Sequence, residues 1–418
     1  MTAAPRVGEG GEQTNPLLEE ARAVLPDVIA LRRALHRSPE LGLHLPRTQH
    51  AVLDALAGLP VTVVTGSGLS SVTVTLEGAR PGRTILLRGD MDALPLEEET
   101  GLEYASRERG VMHACGHDLH TAMLVGACRL LTARRQELGG RVVFMFQPAE
   151  ESGGGAPQMI EEGVLDTADG EGVHAAFALH VTTRFETGTV HVRPGPMFAA
   201  SDLIHIAVHG RGGHASAPHL ALDPIPVACA IVQALQTMVT RTVNIFDPAV
   251  VTIARVEAGT TTNVIPETAE LHGTLRTLTP ATRRDVRDRI EQVATHVAAA
   301  HGARAVVTLT EGYPPVLNDP SFTATVRDVA TTLLGTSAVQ PLADPVTGAE
   351  DFAYVLQRVP GAMALLGARN PSLGAEGAPD YHSNRVIFDE ETMATGVALH
   401  TAVALRFLTD CRADGLTG

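Results

Sequence analysis

Residues 141–151 read RVVFMFQPAEE and join a strand-forming run to two adjacent carboxylates. After its first residue, Arg141–Phe146 is apolar throughout, which is typical of a strand buried on both faces of a sheet. Glu150 and Glu151 follow its carboxyl end, the edge at which open α/β sheets place their binding sites. This stretch predicts an α/β sheet with a polar site beside a central strand.

Helices and strands alternate on both sides of this stretch. Apolar residues at helical spacing predict helices over Pro16–His36, Leu45–Ala57, His120–Gln136 and Met159–Glu162. Apolar or β-branched runs predict strands over Val61–Thr65, Ser71–Leu76, Thr84–Arg88 and Ala175–Leu179. After residue 312 the pattern predicts helices over Phe322–Leu334, Glu350–Arg358 and Glu390–Leu408, and a strand over Ala362–Leu366. This alternation predicts an α/β fold with a mixed, mostly parallel sheet.

A different pattern occupies residues 200–312. Strands are predicted over Leu203–His209, Val250–Val256, Ala269–Leu278 and Ala305–Thr310, and helices over Pro224–Thr240 and Arg283–Ala300. The order β-α-β-β-α-β is that of a ferredoxin-like α+β unit. We therefore predict a large, discontinuous α/β domain formed by residues 15–199 and 313–418, a smaller domain inserted at 200–312, and a loose tail at 1–14.

The composition excludes several classes of protein. A net charge of −15 argues against a nucleic-acid partner, which requires a basic surface. The chain contains no lysine, which excludes Schiff-base chemistry and a P-loop. It shows no signal peptide, no uninterrupted apolar run of about 18 residues, and no disulfide spacing among its four cysteines. We expect a cytoplasmic protein with no membrane partner.

A second chemical cluster, at residues 113–120, reads HACGHDLH and lies at the entry to a predicted helix. Cys, His and Asp side chains are good ligands for zinc or manganese. Gly116 would allow Cys115 and His117 to turn toward one ion. Because the chain has 18 histidines, a chance cluster is the alternative.

Further polar residues end the neighbouring apolar strands. His180 follows Ala175–Leu179, and Asp90 and Asp92 follow Thr84–Arg88. Taken singly, a histidine at a strand end is more often structural, aspartates are common in turns, and paired glutamates could equally be solvated loop residues. Their arrival at the same end of three strands is what a metal pocket requires.

Together these motifs resemble the M20 metallopeptidase family and, within it, the amidohydrolase branch that includes hippurate hydrolase, auxin-conjugate hydrolases and N-acyl-amino-acid aminoacylases. The resemblance covers most of the chain, from about Ala30 to Leu408. The matching segments are Arg88–Pro95 (RGDMDALP), His113–His120, Gln147–Glu151, Gly210–Ser216 (GRGGHAS), Asn263–Pro266 (NVIP), Gly348–Phe352 (GAEDF) and Tyr381–Ser383 (YHS). Jointly they are specific, although each alone is weak.

The resemblance implies two divalent ions, zinc or manganese with cobalt and nickel as alternatives, held by Cys115, His117, Glu151, His180 and His382. It implies Glu150 as general base for a metal-activated water, Asp92 as the carboxylate that orients a ligand imidazole, and Asn263 as a contact of the substrate carboxylate. His214 is expected to reach a neighbouring subunit's active site and contact the reacting carbonyl. The insert is therefore expected to be a lid and a homodimer interface, with a dimer of dimers as an alternative.

The implied substrate is a small N-acyl amino acid. Two departures from the wider family narrow the assignment: Asp90 stands where the wider family has a ligand histidine, and Cys115 where dipeptidase-like relatives have an aspartate. Both changes are typical of the amidohydrolase branch. The alternatives are a dipeptidase or carboxypeptidase on the same scaffold, a non-catalytic binding homologue, and a cysteine hydrolase that uses Cys115.

Overall fold

The computed structural model describes residues 15–167, 169–372, 374 and 377–409. The expected tail at residues 1–14 lies outside the described residues. In chain order the α-helices are α1 Pro16–Arg37, α2 Pro46–Leu56, α3 His117–Ala133, α4 Gly155–Glu161, α5 Pro224–Thr242, α6 Pro280–Ala300, α7 Pro320–Leu334, α8 Ala353–Leu356 and α9 Thr392–Thr409. None of these helices has the length and apolar character that crossing a membrane requires.

The strands are β1 Thr62–Thr65, β2 Val72–Glu77, β3 Arg80–Asp90, β4 Gly139–Gln147, β5 Ala175–Glu186, β6 Val190–Val192, β7 Gly195–Phe198, β8 Ala200–His209, β9 Gly213–His214, β10 Ala249–Ala258, β11 Val264–Ile265, β12 Thr268–Thr277, β13 Arg304–Glu311, β14 Val316–Asn318, β15 Val339–Pro341 and β16 Gly361–Arg369. Among the described residues, the larger sheet has eight strands in the order β1-β2-β4-β3-β5-β16-β6-β15. β4, β3, β5 and β16 run parallel, and antiparallel pairs flank this block. The predicted mixed sheet with a mostly parallel centre is confirmed.

The middle of β4 is apolar because both faces of the larger sheet are covered. Along β4, Val142, Phe144 and Phe146 join a core that includes residues of α1, α3 and α9. The alternate residues Val143 and Met145 join a second core with residues of α4 and α8. Burying one such side chain stabilises the fold by roughly 1.5–3 kcal/mol. Neither face of β4 therefore tolerates a polar residue before the strand ends.

The second sheet has the order β10-β12-β8-β13, and all its neighbouring strands are antiparallel. Residues of α5 and α6 share a hydrophobic core with Ile204, Ile206 and Val208 of β8. Because side chains alternate along a strand, Leu203 and His205 point to the opposite face, where they are exposed or half-buried. This sheet therefore has one packed face and one open face.

The chain crosses between the two sheets just before β8 and just after β13. The Ser201 N–H donates to the Tyr313 carbonyl at 3.0 Å, so the two crossings lie side by side. Asp202 is fully buried, accepts the Gly312 N–H at 3.1 Å and forms an ion pair with Arg283. A Cβ added at Gly312 would lie 2.0 Å from the Ser201 carbonyl oxygen, so only glycine fits there.

Several element boundaries differ from the sequence expectation. The predicted helix Glu350–Arg358 is reduced to the single turn α8, because its first two side chains are drawn into a buried ion-pair network. α4 begins at Gly155, ahead of the predicted Met159. The short strands β6, β7, β14 and β15 were not predicted, because three or four residues are too few for a periodic pattern.

Candidate metal centre

Three strands of the larger sheet deliver polar side chains to one edge. β4, β3 and β5 are neighbours and run parallel, so their carboxyl ends meet. Asp90 and Asp92 lie at the end of β3, Glu150 and Glu151 follow β4, and His180 lies within β5. The structure therefore brings together the residues that the sequence placed at three separate strand ends.

The first turn of α3 adds two more side chains. Gly116 precedes the helix in the left-handed conformation (φ 91°), and a Cβ there would lie 2.4 Å from the Val181 side chain. Only glycine can therefore make this turn, which places Cys115 and His117 on either side of it. Cys115 Sγ lies 3.4 Å from His180 Nε2.

The candidate ligands form one continuous cluster. Within each of three overlapping groups, all potential ligand atoms lie within 4.8 Å of one another; the groups are Cys115, His117 and His180, then Cys115, Glu151 and His382, then His117, Glu150 and Glu151. Glu151 Oε1 lies 3.1 Å from His382 Nε2 and 3.9 Å from His117 Nε2. The structure therefore brings the five expected ligands together in one cluster.

The orientation of the imidazoles fits metal binding. His117 Nδ1 lies 2.8 Å from the Asp92 carbonyl oxygen, and His180 Nδ1 lies 2.7 Å from the Val181 carbonyl oxygen. Because Nδ1 donates to a carbonyl in each case, Nε2 faces the cluster. His117 Nε2 is buried without a hydrogen-bond partner among the described residues. A buried unpaired polar atom costs about 1–3 kcal/mol, and a bound cation would remove that cost.

The charges of the cluster also favour a cation. Burial lowers the pKa of His117, but the carboxylates of Asp90, Asp92 and Glu151 outweigh burial and raise it to about 10. Burial, together with the charge of Glu151, raises the pKa of the Cys115 thiol well above its usual range. A divalent ion would supply the positive charge that these carboxylates attract, and would stabilise the thiolate.

Asp90 and His120 also lie close to His117, but their own ligand atoms are occupied. His120 Nδ1 lies 2.6 Å from Asp90 Oδ1, and its Nε2 accepts the Val181 N–H at 2.9 Å. The other oxygen of Asp90 binds Arg88 at 2.6 Å. These two residues therefore support the cluster and do not add to its ligands.

Asp92 fixes the backbone that carries the two glutamates. Its carboxylate oxygens accept the N–H groups of Glu150 at 2.9 Å and Glu151 at 3.1 Å. Ala149, just before them, has a left-handed backbone (φ 58°), which is uncommon for a residue with a Cβ. The shorter contact of His117 is to the Asp92 carbonyl oxygen, whereas the carboxylate lies 3.4 Å away. Asp92 therefore orients both the imidazole and the glutamate pair.

His382 comes from the loop before α9 and is the most exposed member of the cluster, with 49% of its side chain accessible. Its backbone is left-handed (φ 67°), and its N–H donates to the Ala114 carbonyl at 2.8 Å. That hydrogen bond ties the loop to the segment that carries Cys115. The side chain of Tyr381 lies against both His180 and His382, with ring centroids 5.7 and 5.6 Å apart.

A cavity of about 430 Å³ opens above the cluster and has walls from both sheets. Its lining includes Cys115, Glu150, Glu151, His180, Glu350, Tyr381 and His382 on one side and Ser201, Leu203 and Arg276 on the other. Burial raises the pKa of Glu150 well above its usual range, and the charges of Glu350 and Glu151 add to this effect. A carboxylate with a raised pKa accepts a proton readily, so Glu150 is suited to proton transfer.

The motif at Gly348–Phe352 forms a buried network behind Glu150. Arg88 is fully buried, and its guanidinium lies 2.9 Å from Glu350 and 3.1 Å from Asp351. The Gln147 side chain donates to Asp351 at 2.7 Å. From the sequence, Glu350 and Asp351 were assigned no role. The feature that could have indicated one is the adjacency of two acids just before an apolar segment.

Arg276 is a functional candidate that the sequence reasoning missed. It lies on β12, half-buried, with its side chain in the wall of the cavity. Among the described residues it has no hydrogen-bond or ion-pair partner, and burial lowers its pKa against the opposing charge of Asp202. A half-buried cation without a partner is suited to bind an anion. In the sequence, the one indication of this role was the position of Arg276 in a strand of alternating polarity.

His214 and Asn263 do not join the cluster within one chain. They lie beside each other at the two-stranded sheet of β9 and β11, where His214 pairs with Val264 and the Ala215 N–H donates to the Asn263 carbonyl at 3.1 Å. Both residues are exposed, and neither lines the cavity. Their expected roles are therefore not accounted for by a single copy of the chain.

The comparisons agree with this geometry. The model of peptidase family M20/M25/M40 matches residues 86–406. The chain is 37% identical over 395 residues to thermostable carboxypeptidase 1 of Saccharolobus solfataricus, covering 94% of this chain and 98% of that protein. It is 38% identical over 381 residues to N-acetyl-L-cysteine deacetylase of Bacillus subtilis, covering 91% and 87%. A solved Bacillus subtilis structure, described as a dinuclear metal-binding peptidase of the M20 family, is 34% identical with a TM-score of 0.81, covering 93% and 99%. The chain is therefore an amide-bond hydrolase that belongs to the peptidase family M20/M25/M40, as its motifs predicted.

Proposed function

We propose that this chain is a two-metal amidohydrolase that cleaves the amide bond of small N-acyl amino acids, such as N-acetyl or benzoyl amino acids. The observation that carries the proposal is one cavity that holds a cluster of metal ligands, a buried glutamate beside it and an arginine without a partner. These are the three elements that hydrolysis of an amide next to a free carboxylate requires: activation, proton transfer and an anchor.

Two divalent ions would be held by Cys115, His117, Glu151, His180 and His382. Their mixed sulfur, nitrogen and oxygen donors suit zinc, manganese, cobalt or nickel better than magnesium or calcium. When bound, such a pair polarises the amide carbonyl and lowers the pKa of water. The likeness to a dinuclear metal-binding relative supports this assignment.

Glu150 would act as the general base. Its carboxylate takes a proton from the attacking water and passes it to the amide nitrogen as the carbon–nitrogen bond breaks, which releases a carboxylic acid and an amino acid. Asp92, through the backbone amides of Glu150 and Glu151, keeps that carboxylate beside the ligand cluster. Burial of Glu150 limits exchange of the transferred proton with bulk water.

Arg276 would bind the α-carboxylate of the substrate through charge-assisted hydrogen bonds. Asn263 is proposed as a second contact of that carboxylate, and His214 as a donor to the reacting carbonyl, both on the basis of the resemblance. In this arrangement the larger sheet carries the chemistry and the second sheet recognises the substrate.

We also propose that residues 200–312 form a ferredoxin-like lid and dimerisation domain inserted between residues 15–199 and 313–418. The antiparallel strand order β10-β12-β8-β13, with helices on one face, supports this assignment. β10 is an edge strand on which Val250 and Val256 are exposed, and a second copy of the chain could cover it. A homodimer would let His214 and Asn263 act in the partner's cavity. The cytoplasmic location stays a prediction.

Sedimentation and activity measured over the same dilution series test the dimer. We expect activity to fall with the dimer fraction. A monomer with full activity would rule out a catalytic role for His214 across subunits.

A carboxypeptidase or dipeptidase is the second candidate. The 37% identity to thermostable carboxypeptidase 1 favours it, and Arg276 would serve either substrate class, since both cut an amide beside a free carboxylate. Cys115 and Asp90 favour N-acyl amino acids, because the resemblance to the amidohydrolase branch rests partly on them.

A substrate screen separates these candidates. The protein is stripped with a chelator, reloaded singly with zinc, manganese, cobalt or nickel, and offered N-acetyl and benzoyl amino acids, dipeptides and N-blocked peptides. We expect metal-dependent release of acetate or benzoate. Cleavage confined to peptides would favour the second candidate. Full activity without metal that is abolished by a thiol alkylator would instead point to a cysteine hydrolase.

A further inference from the structure

A second group of potential metal ligands lies on the open face of the second sheet, outside the cavity. It consists of His205 on β8 and of Glu270 and His272 on β12. β8 and β12 are antiparallel neighbours in which His205 and His272 are directly opposite each other. Residues that are directly opposite project from the same face, with Cβ atoms about 4.5–5.5 Å apart. The two histidines thus form a cross-strand pair.

The side chains of this group are already aligned. The imidazole rings of His205 and His272 are stacked, with centroids 4.8 Å apart and planes inclined by 17°, so both rings extend from the sheet in the same direction. Glu270 lies two residues before His272 and therefore faces the same side. Its Oε2 lies 2.6 Å from His205 Nε2. Two imidazoles and one carboxylate share one small area of surface.

This area is accessible and is not neutralised by a competing cation. The side chains of His205 and Glu270 are 44% and 31% exposed, and α5 and α6 pack on the opposite face of the sheet. Arg255 lies directly opposite His272 on β10, but its guanidinium is bound to Glu257. The carboxylate of Glu270 therefore interacts with His205.

We propose that His205, Glu270 and His272 form a third divalent-metal site, with the donor set that zinc, nickel or copper prefers. Ligand atoms around a tetrahedral zinc ion lie roughly 3.4 Å apart, given zinc–nitrogen distances of about 2.0–2.1 Å. The pair formed by His205 and Glu270 is already within that separation. In the structure His272 has no nitrogen within 4.8 Å of the ligand atoms of both His205 and Glu270, so the proposed site requires its imidazole to rotate toward them. Three protein ligands leave one position for water or an external ligand.

Metal counting by equilibrium dialysis at a series of buffered free zinc concentrations tests the site. The full-length protein is compared with His205→Ala, His272→Ala and Glu270→Gln. His209→Ala is the matched control, because His209 lies four residues from His205 on the same strand and face, beside Thr268 and not beside the cluster. Circular dichroism checks that each variant folds.

We expect the wild type and His209→Ala to bind one zinc ion per chain more than the two histidine variants do. In each of the three site variants, the free zinc needed to fill this position should rise at least about tenfold, the smallest loss typical even of residues that only support a ligand. Identical isotherms for the wild type and the site variants would overturn the proposal, as would loss of the same ion from His209→Ala. The tighter binding at the cluster of Cys115 should be unchanged, which separates this site from the proposed catalytic one.

Discussion

The substitution Arg276→Met removes the positive charge that the second sheet supplies to the cavity and keeps an unbranched apolar stem. Arg276 is half-buried and has no hydrogen-bond or ion-pair partner among the described residues. The variant should therefore fold with little loss of stability. The loss should appear in catalysis, because the substrate carboxylate no longer has a cation to bind it.

The expected magnitude is that of a hydrogen bond to a charged group. Such a bond contributes about 1.5–3 kcal/mol, and about 1.4 kcal/mol corresponds to a tenfold change in rate or affinity. We therefore expect kcat/KM for an N-acetyl amino acid to fall about 10- to 150-fold. Because the anchor binds the substrate both before and during the reaction, most of the decrease should appear in KM.

The assay compares each N-acetyl amino acid with its primary amide, which lacks the carboxylate charge. For the wild type, kcat/KM should be lower with the amide than with the acid, by the same factor by which Arg276→Met lowers kcat/KM for the acid. The variant should have similar kcat/KM values for acid and amide. Arg255→Met is the control, because Arg255 is exposed on the same sheet and does not line the cavity. Wild-type kcat/KM in the variant, or undiminished discrimination against the amide, would refute the role of Arg276.

Three further predictions concern proton transfer and stability. Glu150→Gln should keep its metal content, measured by elemental analysis, and lose at least about 10²-fold in kcat. Asp202→Asn removes the buried carboxylate that pairs with both Arg283 and Arg287 and should cost about 3–5 kcal/mol in denaturant unfolding, whereas the exposed control Asp285→Asn should cost less than about 0.5 kcal/mol. Burial raises the pKa of Glu98, but hydrogen bonds, chiefly from His36, outweigh it and lower that pKa to about 2. Its contribution to stability is present above pH 4.5 and is lost as the pH falls toward 2, so Glu98→Gln should show a flatter pH dependence of unfolding there.

The centre of the fold could be predicted well because two signals in the sequence are strong, namely apolar runs for the buried strands and helical spacing of apolar residues for the helices. β4 and β5 each contain a continuous apolar run, at residues 142–146 and 175–179, and the structure shows that alternate residues of each run enter two separate cores. The helices α1, α5, α6 and α9 also show clear helical periodicity. Boundaries failed where tertiary contacts decide them, as at α8, whose expected first turn is taken up by the ion pairs of Glu350 and Asp351 with Arg88.

The residues of the candidate site also fall into those that local sequence indicates and those that depend on tertiary contacts. Cys115 and His117 share one short motif, and Glu150 and Glu151 adjoin one strand, so local sequence pointed to them. His382 could be assigned only by resemblance, because its approach depends on a loop that distant parts of the chain hold in place, as in the hydrogen bond to Ala114. Arg276 was missed because its significance depends on which face of β12 borders the cavity, which no local pattern encodes.

The cavity with walls from two sheets has a consequence for substrate choice. Arg276 on β12 and Glu150 after β4 line the cavity from different sheets, and the chain crosses between these sheets at Ser201 and Gly312, where the two backbones lie too close for a side chain at residue 312. In the proposed mechanism, the distance between Arg276 and Glu150 therefore sets the span from carboxylate to amide that a substrate must have. We expect a conjugate with one more methylene between carboxylate and amide to be a poorer substrate, because it could not contact both residues in the same position.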